Sequence, residues 1–334
     1  MLSPDTPALV LAPMQGVTDA AMREVQGESG AFSFAVSEFV RVTNLVPPAH
    51  VFYRDIPELR VGSRTPNGLP VVVQLLGGCA GRMAEAAAFA HALGASAIDI
   101  NFGCPAPTVN RHDGGATLLK YPHRIREIVQ AVRSALPKKV TVSAKLRLGW
   151  ESTQDIDVNA AMAAEGGANW ITIHGRTREV GYAPPIYWEP IGRVRESLSI
   201  PVVANGDIWS IDDFRRCREI TGCKHFMLGR GALANPLLAS EVATELGIGQ
   251  HTNVTDSDWS ARLQRLVDCS EMYHPDRPGQ TVHRMKQWLR LAANHGTFPH
   301  FDAIKRAGTA DELLANLQSA ECPNPPSISR TLMA

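Results

Sequence analysis

Eight short apolar runs recur along the first 250 residues: Ala8–Ala12, Phe34–Val40, Val71–Leu76, Ala97–Asn101, Val140–Leu146, Trp170–His174, Pro201–Asn205 and Lys224–Gly229. Several are nearly continuous in Val, Ile and Ala, the pattern of strands covered on both faces in a parallel sheet. Between most of them lie stretches with helical period. In Arg82–Leu93, Met83, Ala87 and Ala90 fall on one face and Ala86, Phe89 and Leu93 on the adjoining one. Tyr121–Leu136, Asp155–Glu165, Trp188–Leu198 and Ile211–Thr221 read the same way.

Eight strand–helix alternations predict a (β/α)8 TIM barrel, an α/β fold of about 250 residues. An open doubly wound sheet shares the alternation, but no GxGxxG follows the first run as a dinucleotide fold would require. The long gap Arg41–Pro70, broken by Pro47, Pro48, Pro57, Gly62, Pro66 and Gly68, is predicted to be a surface excursion after the second strand. Past about residue 250 the strand runs stop. Asp258–Met272, Thr281–Asn294 and Ala310–Leu317 read as helices, and the Asn-Pro-Pro stretch near Pro323 as a loose tail. The expected domains are therefore a barrel over 1–250 and a smaller C-terminal all-helical domain over 251–334.

Charge narrows the function classes. The 334 residues carry 33 Lys+Arg against 33 Asp+Glu, and 44% are hydrophobic. That composition excludes intrinsic disorder and adhesion to nucleic acid or membrane by bulk charge. No apolar run reaches the ~18 residues of a membrane span, and no basic region precedes an apolar core at the N-terminus, so neither membrane nor signal peptide is expected. Six cysteines without CxxC spacing point to neither a disulfide scaffold nor a metal site. A reduced, cytoplasmic protein is expected. With no long apolar surface helix asking for a partner, it is expected to be a monomer.

In such barrels the chemistry comes from the C-terminal ends of the strands. Here those ends read Ala12-Pro13-Met14-Gln15-Gly16, Gln74, Asn101-Phe102-Gly103-Cys104-Pro105, Lys145 with Arg147, His174-Gly175-Arg176, Asn205-Gly206-Asp207 and Gly229-Arg230-Gly231. A ring of polar groups on apolar strands needs a reason, because buried polar side chains cost free energy unless paired. A glycine alone marks a tight turn. Glycines after both the seventh and eighth strands, with Arg230, suit a phosphate. Gln74 and Lys145 suit the polar edge of a flavin ring, although a lysine can equally pack its stem and pair its head with a carboxylate. Buried free cysteines are usually inert, which is the reading for Cys217, Cys223 and Cys269. Cys104, in a loop between Gly103 and Pro105, is a candidate acid or nucleophile. His174 is a candidate for phosphate or flavin contact, or a satisfied structural histidine.

Taken in order, Ala12–Asp19, Gln74–Gly77, Asp99–Pro105, Gly114–Leu119, Lys145–Trp150, His174–Thr177, Asn205–Ile208 and Gly229–Ala232 resemble the tRNA-dihydrouridine synthases, flavin enzymes that reduce uridine in tRNA. The Cys-Pro segment together with His174-Gly175-Arg176-Thr177 is specific to that family. Glu38–Val42 and Arg284–Leu289 look like the branch acting on uridine 16 of the D-loop. Pro107 departs from the pattern, which usually has Lys there; this removes one basic contact near the catalytic loop.

The resemblance implies FMN as cofactor, NADPH as electron donor and tRNA as substrate. It implies Cys104 as the proton donor. It places Pro13, Met14 and Gln15 under the flavin ring, Gln74 and Lys145 on its polar edge, and His174, Asn205, Gly206, Asp207, Gly229 and Arg230 toward its phosphate. The target base must leave the tRNA stack. Asn101 is then expected to hydrogen-bond its edge. Tyr182 is expected either to contact it or to act as a lid packed on Pro184 and Pro185. Residues 284–306 set five cations against Asp302 alone. That segment is either a solvated basic face or, as the resemblance implies, a tRNA surface in which Arg284, Lys286 and Lys305, with Arg41, touch phosphate or sugar. Two rivals are a flavin barrel acting on a free pyrimidine, dihydroorotate dehydrogenase-like, and a non-enzymatic RNA-binding protein with a dead barrel.

Overall fold

The computed structural model describes residues 2–249 and 258–321. Its strands are β1 (Ala8–Leu11), β2 (Phe34–Val36), β3 (Val40–Arg41), β4 (Val71–Leu76), β5 (Ala97–Asn101), β6 (Thr141–Arg147), β7 (Trp170–His174), β8 (Val202–Asn205) and β9 (His225–Leu228). All pair in parallel. β1 lies between β2 and β9, and β2 also pairs β4, so eight strands close into a barrel. The first run thus meets the eighth with Val10 opposite Met227, as the (β/α)8 expectation requires.

The ninth short strand is the far end of the second run. Phe34–Val40 does not continue unbroken. Ser37 Oγ donates to the Glu38 carbonyl and accepts from Gln74 N–H, and Glu38 accepts from Val17 N–H. Side chains take over ladder bonds at the break, and pairing with β4 resumes at Val40.

Alternate positions explain why the runs look continuously apolar. Leu9, Leu11, Val71, Val73, Ile98, Ile100, Ile171 and Ile173 pack outward in the large core beneath the helices. Val10, Ala12, Phe34, Val72, Ala97, Trp170, Val203 and Met227 form a second, separate cluster, which fills the barrel. Steps of two from that inner set reach Gln74, Asp99, Asn101, His174 and Asn205, and on β6 Ser143 and Lys145 lie opposite Asp99 and Asn101, with Arg147 one step of two further on. The inner face is therefore apolar at one end and polar toward the other, and the polar end builds the site.

The helices Ala80–Ala92, Pro122–Ser134, Asp155–Glu165, Glu189–Ser197 and Ile211–Thr221 fall where the period predicts them. The last is bounded by a Ser210–Asp213 capping box and by Gly222 in the left-handed region.

One expectation is corrected. The segment 41–70 is not a surface excursion. It contains a helix at Ala49–Asp55 and a 3-10 turn at Pro57–Val61, and it buries Phe52, Ile56 and Leu59. Glu58 receives two hydrogen bonds of 2.8 Å from Arg23, with both side chains fully buried. The prolines that suggested a loop instead start or space short helices. Arg23 lies on the helix Ala20–Gly27, capped by Asp19, which the periodicity did not single out.

Contacts divide the chain into Met1–Thr255 and Asp256–Ala334. In the second unit, Trp259–Tyr273, Pro278–Asn294, Phe301–Ile304 and Ala310–Glu321 are helical. Trp259 packs edge-on against Trp288 and Phe298, at 5.5 and 5.6 Å. Trp288 and Leu289 are buried. The expected tail around Pro323 lies outside the described residues. Among the described residues no helix is long and apolar enough to cross a membrane, and no group of three or more His, Cys, Asp or Glu could hold a metal ion.

Candidate active site

A cavity of about 660 Å³ opens at the C-terminal ends of the barrel strands, within the size range of small-molecule sites. Its walls contain Pro13, Met14, Gln15, Gln74, Asn101, Cys104, Lys145, His174, Tyr182, Asn205, Gly206, Asp207, Gly229 and Arg230. Every barrel residue expected at the cofactor, the acid or the base is there. Arg41 is not. Its guanidinium donates to the Thr108 carbonyl at 3.2 Å, behind the cysteine loop.

That loop is held from several sides. Asn101 Oδ1 accepts from the N–H groups of Gly103 and Cys104, both at 2.9 Å. Arg147 Nε donates to the Gly103 carbonyl at 2.8 Å, and Ala116 N–H to the Cys104 carbonyl at 3.1 Å. Gly115, with φ +60°, passes so close that a Cβ there would lie 2.9 Å from the Cys104 carbonyl oxygen. Cys104 is half-buried. Burial pushes its thiol above the ordinary range, against the pull of the Ala106 N–H and of Arg147, Arg41 and Lys145. At neutral pH it stays a thiol.

Lys145 and His174 sit in the polar ring with their heads uncommitted. The Lys145 ammonium makes no hydrogen bond to another described residue, and burial, then repulsion from Arg147, lowers it to about 8. His174 Nδ1 is buried without a partner. Burial comes first, then the surrounding Arg147, Lys145, Arg176 and Arg230, in holding the imidazole well below its usual range, hence neutral. Gly206 is at φ +121°, where a Cβ would lie 2.6 Å from Ile186 and 3.3 Å from His174. The N–H groups of Gly206, Asp207, Arg230 and Gly231 donate to no backbone carbonyl among the described residues.

Residues 10–321 match the dihydrouridine synthase (Dus) family. The chain belongs to that family. It is 40% identical over 317 residues to a tRNA-dihydrouridine(16) synthase of Ralstonia nicotianae, covering 93% of this chain and 95% of that protein. It is 41% identical over 311 residues to one from Pseudomonas syringae pv. tomato, covering 91% and 96%. It is 41% identical over 318 residues to one from Shewanella oneidensis, covering 94% and 98%.

A dihydrouridine synthase is a flavin-dependent oxidoreductase, and the residues present fit a flavin. An ammonium without a hydrogen-bond partner and a row of undonated backbone N–H groups converge on one cavity, and each lacks a partner that an anionic, nitrogen-rich group would supply. Asp207 acts differently from a simple phosphate neighbour. Its carboxylate takes both guanidinium nitrogens of Arg176 and one of Arg230, the latter at 3.0 Å. It anchors both guanidinium groups.

Arg147 and Phe39 are among the cavity residues to which the sequence reading gave no role. Arg147 is almost fully buried and joins two loops, donating to Gly103 on one side and to Thr177 and Gly181 on the other. Its position two residues after Lys145 on an inward-facing strand was the available signal. Phe39 enters the cavity only because of the break between β2 and β3. Tyr182 lies with its ring 5.1 Å from the guanidinium carbons of both Arg147 and Arg230 and edge-on to His174 at 6.3 Å. It lines the cavity and remains 58% exposed.

In the helical unit, Arg284 donates to Gln287, Lys286 to the Ala307 carbonyl, and Lys305 to Asp302. An ammonium has three donors, so both lysines keep capacity for a further anion.

Proposed function

We propose that this chain reduces uridine to 5,6-dihydrouridine in tRNA, at position 16 of the D-loop, with FMN as the flavin and NADPH as electron donor, acting as a cytoplasmic monomer. The observation that carries the reading is the juxtaposition of a protonated, half-buried thiol with an uncommitted polar ring suited to a flavin. The names of the relatives favour tRNA over a free pyrimidine, the competing substrate class.

Reduced FMN, when bound, supplies the hydride for uracil C6. The residues of the chain do the rest. Lys145 and Gln74 would hold the polar edge of the ring, and Pro13, Met14 and Gln15 would support its face. The N–H groups of Gly206, Asp207 and Arg230, with Arg230, His174, Asn205 and Gly229 alongside, hold the phosphate. The extruded base enters under Tyr182. Cys104 Sγ gives its proton to C5. Asn101 uses its oxygen and one N–H on the protein, which leaves one N–H for the base edge. Arg41, Arg284, Lys286 and Lys305 contact phosphate or sugar, and the helical unit serves tRNA binding while the barrel holds the flavin.

The charge on Lys145 sets a pH dependence. Its folded value of about 8 lies below the ordinary lysine range. Apoprotein stability therefore rises with pH between about 8 and that range, because the unfolded chain binds the proton more tightly. A ligand that needs the ammonium behaves oppositely. FMN affinity is expected to fall about tenfold between pH 7 and pH 9, read by flavin fluorescence titration, and to stay flat in Lys145→Met. A wild-type affinity independent of pH would remove Lys145 from the flavin edge.

For the tRNA surface, Arg284→Glu/Lys286→Glu is expected to weaken tRNA binding at low salt by at least about tenfold and to flatten the salt dependence. Filter binding measures this, with KM raised and kcat held. Unchanged affinity would remove the patch. Mapping dihydrouridine by mass spectrometry in tRNA from a strain lacking this protein tests the position; loss at 16 alone is expected.

A further inference from the structure

The barrel interior carries a chain of side-chain hydrogen bonds that ends on the cysteine loop. Ser143 Oγ donates to Asp99 Oδ1 at 2.6 Å. Gln74 Nε2 donates to Asp99 Oδ2 at 2.7 Å, and Asn101 Nδ2 donates to Gln74 Oε1 at 2.8 Å. Asn101 Oδ1 then accepts from both Gly103 and Cys104 N–H groups. Ser143, Asp99 and Gln74 are almost wholly buried.

The sense of this chain is fixed at both ends. Two amide N–H groups can only donate, so at the loop end the Asn101 oxygen faces them. Its nitrogen then faces Gln74, which presents its oxygen and turns its own nitrogen to Asp99. At the far end the Asp99 oxygens accept from Gln74 and Ser143, which enforces the same sense. With an amide free to rotate at position 99, only the loop end would oppose reversal of Gln74 and Asn101, and each reversal would set a nitrogen donor against the two N–H donors of the cysteine loop.

We propose that Asp99 and Ser143 are positioning residues that set the sense of the Gln74–Asn101 amide chain and thereby hold the Cys104 loop in its proton-donating place. This rests on the assignment of Cys104 as the proton donor. The two residues act redundantly. In Asp99→Asn the new amide still presents its oxygen to Gln74, because its nitrogen donates to Ser143 Oγ, which turns to accept. In Ser143→Ala the Asp99 Oδ2 oxygen still accepts from Gln74. In the double variant the amide at position 99 has no acceptor to fix it, and the far end no longer enforces the sense, which loosens the loop.

The test reads the loop directly, without tRNA. Peptide-resolved alkylation of Cys104 by iodoacetamide in the purified holoenzyme is followed by mass spectrometry, with the exposed Cys79 as internal reference. Each single variant is expected to alkylate Cys104 within about twofold of wild type and the double variant about tenfold faster, a non-additive result. In parallel, kcat for dihydrouridine formation is expected to fall about tenfold in the double variant alone, with KM for tRNA unchanged. A merely packing or charge role predicts additive effects. Additive rates, a large effect of Asp99→Asn alone, or a double variant that alkylates like wild type would overturn the proposal. If the double variant is loosened at Cys104 yet wild type makes no dihydrouridine, the functional assignment fails and the positioning chain stands.

Discussion

Replacing Cys104 by alanine is expected to lower dihydrouridine formation by about 10²–10⁴-fold, the usual share of a positioned general acid. The variant should still bind flavin and still be bleached by NADPH, because Lys145, His174 and the phosphate cradle lie on other strands. Single-turnover mixing of the reduced variant with tRNA measures the loss. The pH profile gives a second check. Burial keeps the thiol protonated beyond its ordinary range, so with FMN saturating at every pH the wild-type rate should be level through neutral pH and fall as the thiol ionises at alkaline pH. Normal turnover by Cys104→Ala, or a rate that rises with thiol ionisation, would exclude the sulfur as proton donor.

The second large effect concerns the fold. Glu58→Ala leaves the Arg23 guanidinium fully buried, hydrogen-bonded only to the carbonyls of Thr18 and Asp55, with Glu38 and Asp19 as the remaining nearby negative charges. Removing one partner of a buried ion pair costs about 3–5 kcal/mol. A large drop in the urea midpoint and in Tm is expected, followed by circular dichroism. The double replacement Arg23→Met/Glu58→Leu should recover most of the loss, since an apolar pair of similar volume has no charge to desolvate. A single variant as stable as wild type would mean that the segment 41–70 contributes little to the barrel.

That segment marks a limit of reading along the chain. Its prolines and glycines look like a loop because local signals report turns, not partners. Arg23 and Glu58 are 35 residues apart, and nothing local says that two charged residues will meet in the core. The same limit applies to Phe39, whose entry into the cavity depends on Ser37 and Glu38 taking over ladder bonds. Arg147 was visible as an inward position on its strand, but its two loop partners were not.

The alternation of apolar runs with helical stretches determined the barrel, because strands covered on both faces must be apolar throughout and helices between them must show one apolar stripe. It also determined which strand ends carry Cys104, Lys145, His174 and Arg230, since a barrel gathers those ends at one mouth. Three-dimensional packing alone decided that Asp207 anchors two arginines, that Lys145 and His174 are left uncommitted, and that Asp99, Gln74 and Asn101 point their hydrogen bonds one way. Those outcomes depend on which groups lack a partner once the barrel closes, and burial and hydrogen-bond direction arise only between strands distant in the chain.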